Sequence, residues 1–402
     1  MDILPILRAL TRSKVGAILI GLQIALTLAI VCNSLSVIQQ FMQRMQQATG
    51  IDEDNIFTIS AEWIDNPADL EGRIRGDLAA LRSLPEVVDV YSGISIPLDG
   101  NGYTLPLSVK PDQRTPSAFG ALYHTDEHGL SALGVKLIAG RWFKADEVGL
   151  LRFYENKFPA TIVVTQDLGR TLFPDGNALG QIVYFTPTES GHIIGIVERT
   201  QTPWAASGTL TERSLFLPAL PMNRSALYVV RARPGQLGAA IHAVQDKLFA
   251  VNAERIIQSV TPFSETRHLA YLQPRAVSVM LAVVSALLLA VTGFGVVGLT
   301  AYWVTQRRRQ IGMRRALGAR RVDILAYFHT ENLLIVALGC ILGIALGLAI
   351  NGRLISTFEM TRMSVGYICL GALVVLLLCQ AAVLWPAWRA ASIPPAIATR
   401  AQ

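Results

Sequence analysis

The 402-residue sequence has no Gly-x-x-x-x-Gly-Lys-[Ser/Thr] loop, no Gly-x-Ser-x-Gly elbow and only four cysteines. Without the first it lacks the backbone cradle and lysine that hold nucleotide phosphates in a P-loop. Without the second it lacks the strained turn that presents a hydrolase serine, and Ser207 sits in an unrelated Ala-Ser-Gly-Thr. Cys32, Cys340, Cys369 and Cys379 all fall within long apolar runs, so residues 39–276 contain no cysteine and form no disulfide. That stretch must rest on a packed core, which its length of about 240 residues can supply. Histidine is scarce as well, six in all. His124 and His128 have helical spacing for a metal pair, but Gly120, Gly129 and Gly134 around them argue against a regular helix, so structural or solvent roles are expected. His192, His242 and His268 are scattered without a companion motif, so no catalytic, cofactor or metal residue is assigned.

Apolar sequence is abundant, with hydrophobic residues at 51% and mean hydropathy at +0.41. Residues 15–38, 277–304, 324–350 and 364–385 are each long enough to cross the hydrocarbon layer as a helix, which takes about 20 residues. The first run follows Arg8, Arg12 and Lys14 as a signal peptide would, but it is long for one and no small-x-small cleavage site follows Ile38, so it is expected to be retained. Gln23, Thr27, Cys32 and Asn33 in the first run, and His329, Glu331 and Asn332 in the third, must find protein or headgroup partners. Basic residues set the orientation. Eleven flank one side (Arg8, Arg12, Lys14, seven arginines between 307 and 321, and Arg389), against Arg353 and Arg362 on the other. The positive-inside rule therefore predicts a cytosolic N-terminal segment (1–14), a cytosolic turn (305–323), an outer turn (351–363) and a cytosolic tail (386–402), with both termini inside. It places residues 39–276 outside an inner (plasma) membrane. The net charge of +6 is thereby explained by lipid headgroups, without nucleic acid.

The outer region reads as two kinds of structure. A strand near Asn55–Ser60, a helix from Pro67 to Leu84 and a strand at Val87–Pro97 make one unit, and a strand at Ser225–Arg231, a helix from Gln236 to Ala250 and a strand at Arg255–Val260 repeat it. Together, residues 55–110 and 211–262 predict a split βαβ domain with helices on one face of an antiparallel sheet. Residues 111–210, rich in glycine and proline with short strand candidates, predict an inserted β-rich subdomain hinged near Pro111 and Leu210. The fold class is thus a four-span α-helical membrane domain carrying an α+β extracytoplasmic domain.

Two further patterns point to function. Gly339, Gly343 and Gly347 repeat every four residues on one face of the third span, a spacing that lets helix backbones approach closely, either within the chain or between subunits. Gly293, Gly295 and Gly298 mark the second span similarly. In the cytosolic turn, Ile311, Met313, Leu317 and Val322 interleave with Arg308, Arg314, Arg315 and Arg321, which predicts a short amphipathic helix at the membrane face with a bend at Gly318.

The segment Gln310-Ile311-Gly312-Met313-Arg314-Arg315-Ala316-Leu317-Gly318-Ala319 resembles the Arg-Glu-Ile-Gly-x-x-Arg-Ala-Leu-Gly-Ala signature of the MacB/FtsX-like permeases, the membrane subunits of type VII ABC transporters. The resemblance continues through Gly140-Arg141-Trp142-Phe143, Val163–Pro174, Leu179–Gln181 and Ile193–Val197, which are similar to that family's periplasmic core domain, and through Trp385–Pro395, similar to its C-terminal ending. The resemblance implies a non-catalytic permease subunit, paired with a second permease as homodimer or heterodimer and joined to a cytosolic ABC ATPase dimer that binds ATP and Mg, with or without a periplasmic adaptor. It implies export or extraction by mechanotransmission, with residues 310–319 as the coupling element; the alternative is FtsX-like regulation of an extracytoplasmic partner or hydrolase. Gln310 departs from the family's usual glutamate, which puts the symmetry of the dimer in question.

Overall fold

The computed structural model describes residues 14–65, 69–152, 158–205, 208–358 and 363–392. The chain divides into two compact units, Gln46–Gln273 and the remainder.

The chain begins with α1 (Lys14–Gln46) and enters the first unit through β1 (Ile56–Trp63), α2 (Leu70–Arg82) and β2 (Val87–Gly93). There follow β3 (Tyr103–Leu107), β4 (Ala118–Thr125), α3 (Gly129–Leu133), β5 (Leu137–Gly140), β6 (Gly149–Leu151), β7 (Thr161–Thr165), α4 (Gln166–Leu172), β8 (Ile182–Tyr184), β9 (Ser190–Val197) and β10 (Ser214–Pro221). The unit closes with β11 (Ser225–Ala232), α5 (Leu237–Val251), β12 (Arg255–Pro262) and α6 (Phe263–Ala270).

Four strands form one antiparallel sheet in the order β12-β1-β11-β2, the arrangement of a split βαβ fold. Alternation decides its faces: Phe57, Ile59, Ala61 and Trp63 of β1 and Ala226, Tyr228 and Val230 of β11 bury against Ile74, Leu78 and Leu81 of α2 and Ala240, Val244 and Leu248 of α5. Asp69 caps α2 by accepting from the Gly72 N–H at 2.8 Å, so the helix starts at Leu70; the expected start at Pro67 lies outside the described residues. Between α2 and the sheet, Arg255 donates to both Asp77 oxygens at 2.8 and 2.9 Å while the Tyr228 hydroxyl donates to Asp77 at 2.7 Å. Both charged side chains are 1% exposed, so each is tolerated only because the other is present.

The second sheet runs β3-β4-β10-β7-β9-β5, with β6 on β10 and β8 on β9. Strand β10 is buried along its whole length and apolar after Ser214, whose hydroxyl donates to the Thr200 carbonyl at 3.0 Å, and it pairs parallel to β4 and β6 but antiparallel to β7. This sheet takes in β3 and β10, which lie outside the range 111–210 expected for the insertion. Ladder pairing, which composition does not reveal, draws them in. Both sheets fall within one compact unit. Arg82 of α2 bonds Asp126 at 2.8 Å, just past the end of β4, and ties the sheets together.

The other unit holds α1 with α7 (Leu272–Gln306), α8 (Arg308–Ala316), α9 (Arg321–Phe358) and α10 (Val365–Ala391). Among the described residues four helical stretches are long and apolar enough to cross a membrane. Helix α9 continues through the first eight positions of the expected outer turn 351–363, and α10 continues past Pro386 to Ala391, into the expected tail. Helix α1 touches all three other long helices. A β-carbon placed on Gly339 would lie 2.8 Å from Ile24 Cγ2, and one on Gly343 2.8 Å from the Ala25 carbonyl oxygen, so the glycine stripe is filled by α1 of the same chain. Asn33 donates to the Gly347 carbonyl at 3.1 Å and to Ala29 at 2.8 Å, and the Thr27 and Thr292 hydroxyls meet at 2.8 Å. Gln23 lies where a side chain at Gly295 would stand, and the Cys32 thiol packs against Gly371. On α9, His329 bonds Gln380 at 2.8 Å and Asn332 donates to the Cys379 carbonyl at 3.2 Å. The polar residues of the apolar runs thus face other helices.

Burial lowers the His124 pKa to about 4 and raises that of Asp99 to about 7. For His124 the folded value lies below the unfolded one, so its stabilising contribution is complete above about pH 6.5 and lost as pH falls towards 4. Asp99 has the opposite sign, losing stability as pH rises from its unfolded value to its folded one. Comparing the full chain with His124→Phe isolates the histidine: in thermal unfolding, the variant should gain about 2–3 kcal/mol relative to the parent between pH 7 and 4.5.

Candidate coupling site

Helix α7 ends at Gln306, and Arg307 turns back toward α9. Its guanidinium donates to both oxygens of Glu331 at 3.0 and 2.8 Å, approaches the Tyr327 hydroxyl at 3.4 Å and lies 5.7 Å from the Trp303 ring. The Glu331 side chain is 1% exposed and that of Arg307 15%, so this bond joins the end of α7 to α9 inside the protein. A charge that deep is held only with its partner in place.

Helix α8 begins at the next residue. One of its apolar side chains, Ile311, is buried and packs in a cluster with Ile324 and Phe328 of α9, with Gly312 buried beside it. Arg314 spreads over the Tyr327 ring at 5.2 Å. Gln310 and Ala316 are exposed, and Arg315 belongs to the described helix by its backbone alone. Met313, Leu317 and Val322 are 54%, 89% and 69% exposed. This corrects the expected amphipathic stripe: Met313 lies about 200° round the helix from Ile311, and Leu317 and Val322 fall outside α8, so the four apolar residues do not share one face, and exposed Arg308, Arg309, Arg314, Arg320 and Arg321 surround them.

Gly318 ends the helix. It has φ +96°, and the Ala319 N–H returns to the Arg314 carbonyl at 3.1 Å, the six-to-one bond of a Schellman closure. No atom lies within 4 Å of where its β-carbon would be, so the glycine is required by backbone conformation and not by close seating. Asp323 then accepts from the Arg320 N–H at 2.8 Å and starts α9. Residues 310–319 are thereby brought together as one projecting corner, whereas Gly339, Gly343 and Gly347 line the interior. Sequence reasoning noted Glu331 as a polar residue of the third span but missed it as the partner of Arg307; the available signal was one acid in an apolar run that starts near seven arginines.

No group of three or more potential metal ligands occurs among the described residues. His128 bonds Asp89 at 2.9 Å ahead of α3, while His124 lies on β4 without a share in that bond.

Comparison with known proteins agrees with this layout. The profile of the MacB-like periplasmic core domain matches residues 17–250, and that of the FtsX-like permease C-terminal region matches residues 282–395. The chain is 27% identical over 318 residues to the macrolide export ATP-binding/permease protein MacB of Chromobacterium violaceum, covering 72% of this chain and 43% of that one. It is 29% identical over 286 residues to MacB 1/2 of Paracoccus denitrificans, covering 67% and 38%. The chain therefore spans less than half the length of these relatives. Among solved structures, the periplasmic region of MacB from Actinobacillus actinomycetemcomitans aligns with 57% of this chain and 98% of its own at 15% identity and a TM-score of 0.34. The extracellular domain of the transporter YknZ from Gram-positive bacteria aligns with 50% of this chain and 100% of its own at 11% identity and a TM-score of 0.32.

Glu331→Ala should destabilise the chain by about 3–5 kcal/mol, because it strands the Arg307 charge, whereas the double variant Arg307→Met with Glu331→Leu should recover most of that loss; thermal unfolding in detergent reads both. Gly318→Leu should cost only about 1–2 kcal/mol for its left-handed backbone, yet displace the corner, read as faster proteolysis within 310–321.

Proposed function

The chain belongs to the family of MacB-like permeases with an FtsX-like C-terminal region, and from that premise we propose that it is the membrane subunit through which a separate ABC ATPase drives movement of an extracytoplasmic domain. The observation that carries this reading is the corner at residues 308–321. It is fixed on its inner side by Arg307–Glu331 and Ile311, and presents Met313, Leu317 and five arginines outward. A short helix wedged between the ends of α7 and α9 cannot be pushed without displacing both. Its exposed mixture of apolar and basic side chains suits an acidic, grooved partner surface, and ATP and Mg would be bound there and not in this chain, which has no P-loop.

In this reading the arginine corner and both termini face the cytosol, and residues 46–273 lie outside an inner membrane. ATP-driven closure of the ATPase dimer displaces α8. The displacement passes along α7, which follows α6 of the outer unit directly in sequence, and along α9, which packs on α1 through its glycines. The second permease copy must then meet this one elsewhere than on the glycine stripe, which α1 already fills. Transport by mechanical coupling fits the membrane interior, where among the described residues Thr27, Asn33, Thr292, His329 and Asn332 spend hydrogen bonds on contacts between helices. Macrolide export, named for the relatives, is the first activity to assay, with and without a periplasmic adaptor.

Single cysteines replacing Gln166 and Arg315 should be labelled by impermeant reagent from opposite sides, Gln166 from outside; the same side for both would overturn the topology. Leu317→Glu should leave thermal stability within about 0.5 kcal/mol of the parent, because the side chain is exposed, but reduce ATPase co-purification and permease-stimulated hydrolysis at least tenfold. Undiminished stimulation would count against the corner as the docking element.

A further inference from the structure

Strand β4 alternates its side chains, and Gly120, Leu122 and His124 share one face. Helix α4 is seven residues long and covers this face only in part. Leu168 sits over Gly120, 2.9 Å from where a β-carbon would be, and with that the cover ends. Beyond it the outer unit holds a cleft of about 1080 Å³ whose walls include Leu105 of β3, Leu122 of β4, Leu150 of β6, Leu217 of β10 and Phe158. Phe158 is held in place by stacking on Phe185 with ring centroids 4.6 Å apart.

His124 lines this apolar cleft and is 6% exposed. Its imidazole forms no hydrogen bond or ion pair with any described residue, and burial keeps it neutral. A neutral imidazole carries one N–H donor and one nitrogen acceptor, and neither is among the fully enclosed side-chain atoms that lack a partner, so both can be reached from the cleft. The charged groups nearby do not meet that need. Glu147, also on the wall, is held by Arg141 at 2.6 and 2.7 Å, and Arg152 has a partner of its own. A cleft of this size, apolar over most of its wall with the His124 imidazole among a few polar groups, has the makeup of a small-molecule site.

We propose that the outer unit binds an uncharged amphiphile in this cleft, its apolar body against the leucines of β3, β4, β6 and β10 and a hydroxyl or carbonyl oxygen at the His124 imidazole. A charged headgroup finds no free counter-charge there, whereas a neutral oxygen supplies what the imidazole lacks. The site is distinct from the coupling corner and does not depend on the reading of that corner.

The test uses the full chain in lipid nanodiscs with two photoreactive probes, a diazirine-bearing long-chain alcohol and a diazirine-bearing fused-ring alcohol, with adducts mapped by peptide mass spectrometry. Saturable labelling is expected on peptides covering 103–107, 118–125 or 214–221. Labelling by the long-chain alcohol alone supports the site and assigns it to lipid-type ligands; labelling by the fused-ring alcohol alone supports it and assigns it to compact ones. His124→Phe, which keeps the volume and removes the hydrogen bond, should weaken competition by the unlabelled parent alcohol about three- to tenfold. Leu105→Trp enlarges a half-buried side chain of β3 on the cleft face, opposite Gly120, and should abolish the labelling even if the histidine variant fails to fold. Absence of saturable labelling on those peptides, or labelling unchanged in either folded variant, would overturn the proposal.

Discussion

The membrane unit depends on the close approach of α1 to α9 at Gly339 and Gly343. Lipid tails are as apolar as leucine, so helices in a bilayer gain little from hiding apolar surface from one another and associate through contact density and hydrogen bonds instead. With glycine at both positions, α1 comes near enough for Asn33 to reach the Gly347 carbonyl across the interface. The same helix meets α7 through paired threonines and α10 through Cys32 against Gly371. An apolar helix carrying Gln23, Thr27, Cys32 and Asn33 is costly against lipid and suited to a position among other helices.

At the coupling corner the same economy of polar groups yields a rigid joint. Arg307 sits just past the end of α7 and Glu331 lies in α9, and each is the condition for the other's burial. Ile311 adds an apolar contact on the inner side, and the Schellman closure at Gly318 sets the direction in which the chain leaves. What stays outside is an arginine-rich surface with Leu317 at its tip, unsatisfied within the chain. A fixed inner side and an open outer side are what the proposed lever would need, since a force applied to a loosely held helix would be spent on bending it.

In the outer unit buried polarity is handled in two ways. Arg255, Asp77 and Tyr228 close on one another between α2 and the split βαβ sheet, leaving a satisfied network. His124 on the second sheet has no such companions and opens onto a cleft. The first arrangement fixes structure, and the second leaves a specific need that a bound molecule can meet.

The sequence by itself determined the four spans, the split βαβ unit and the position of the arginine corner, because each is written in a local signal: runs of about 20 apolar residues, periods of 2 and 3.6, and charge at the ends of spans. It also marked Gly318, because a left-handed residue at a helix end is a local requirement. Only tertiary structure decided what lies opposite what. It drew β3 and β10 into the second sheet, filled the glycine stripe with α1 of the same chain, joined Arg307 to Glu331, turned Met313 and Leu317 outward, and left His124 facing a cleft. Each of these is a pairing between segments distant in sequence, and a local pattern records that a side chain needs a partner without recording which distant segment supplies it.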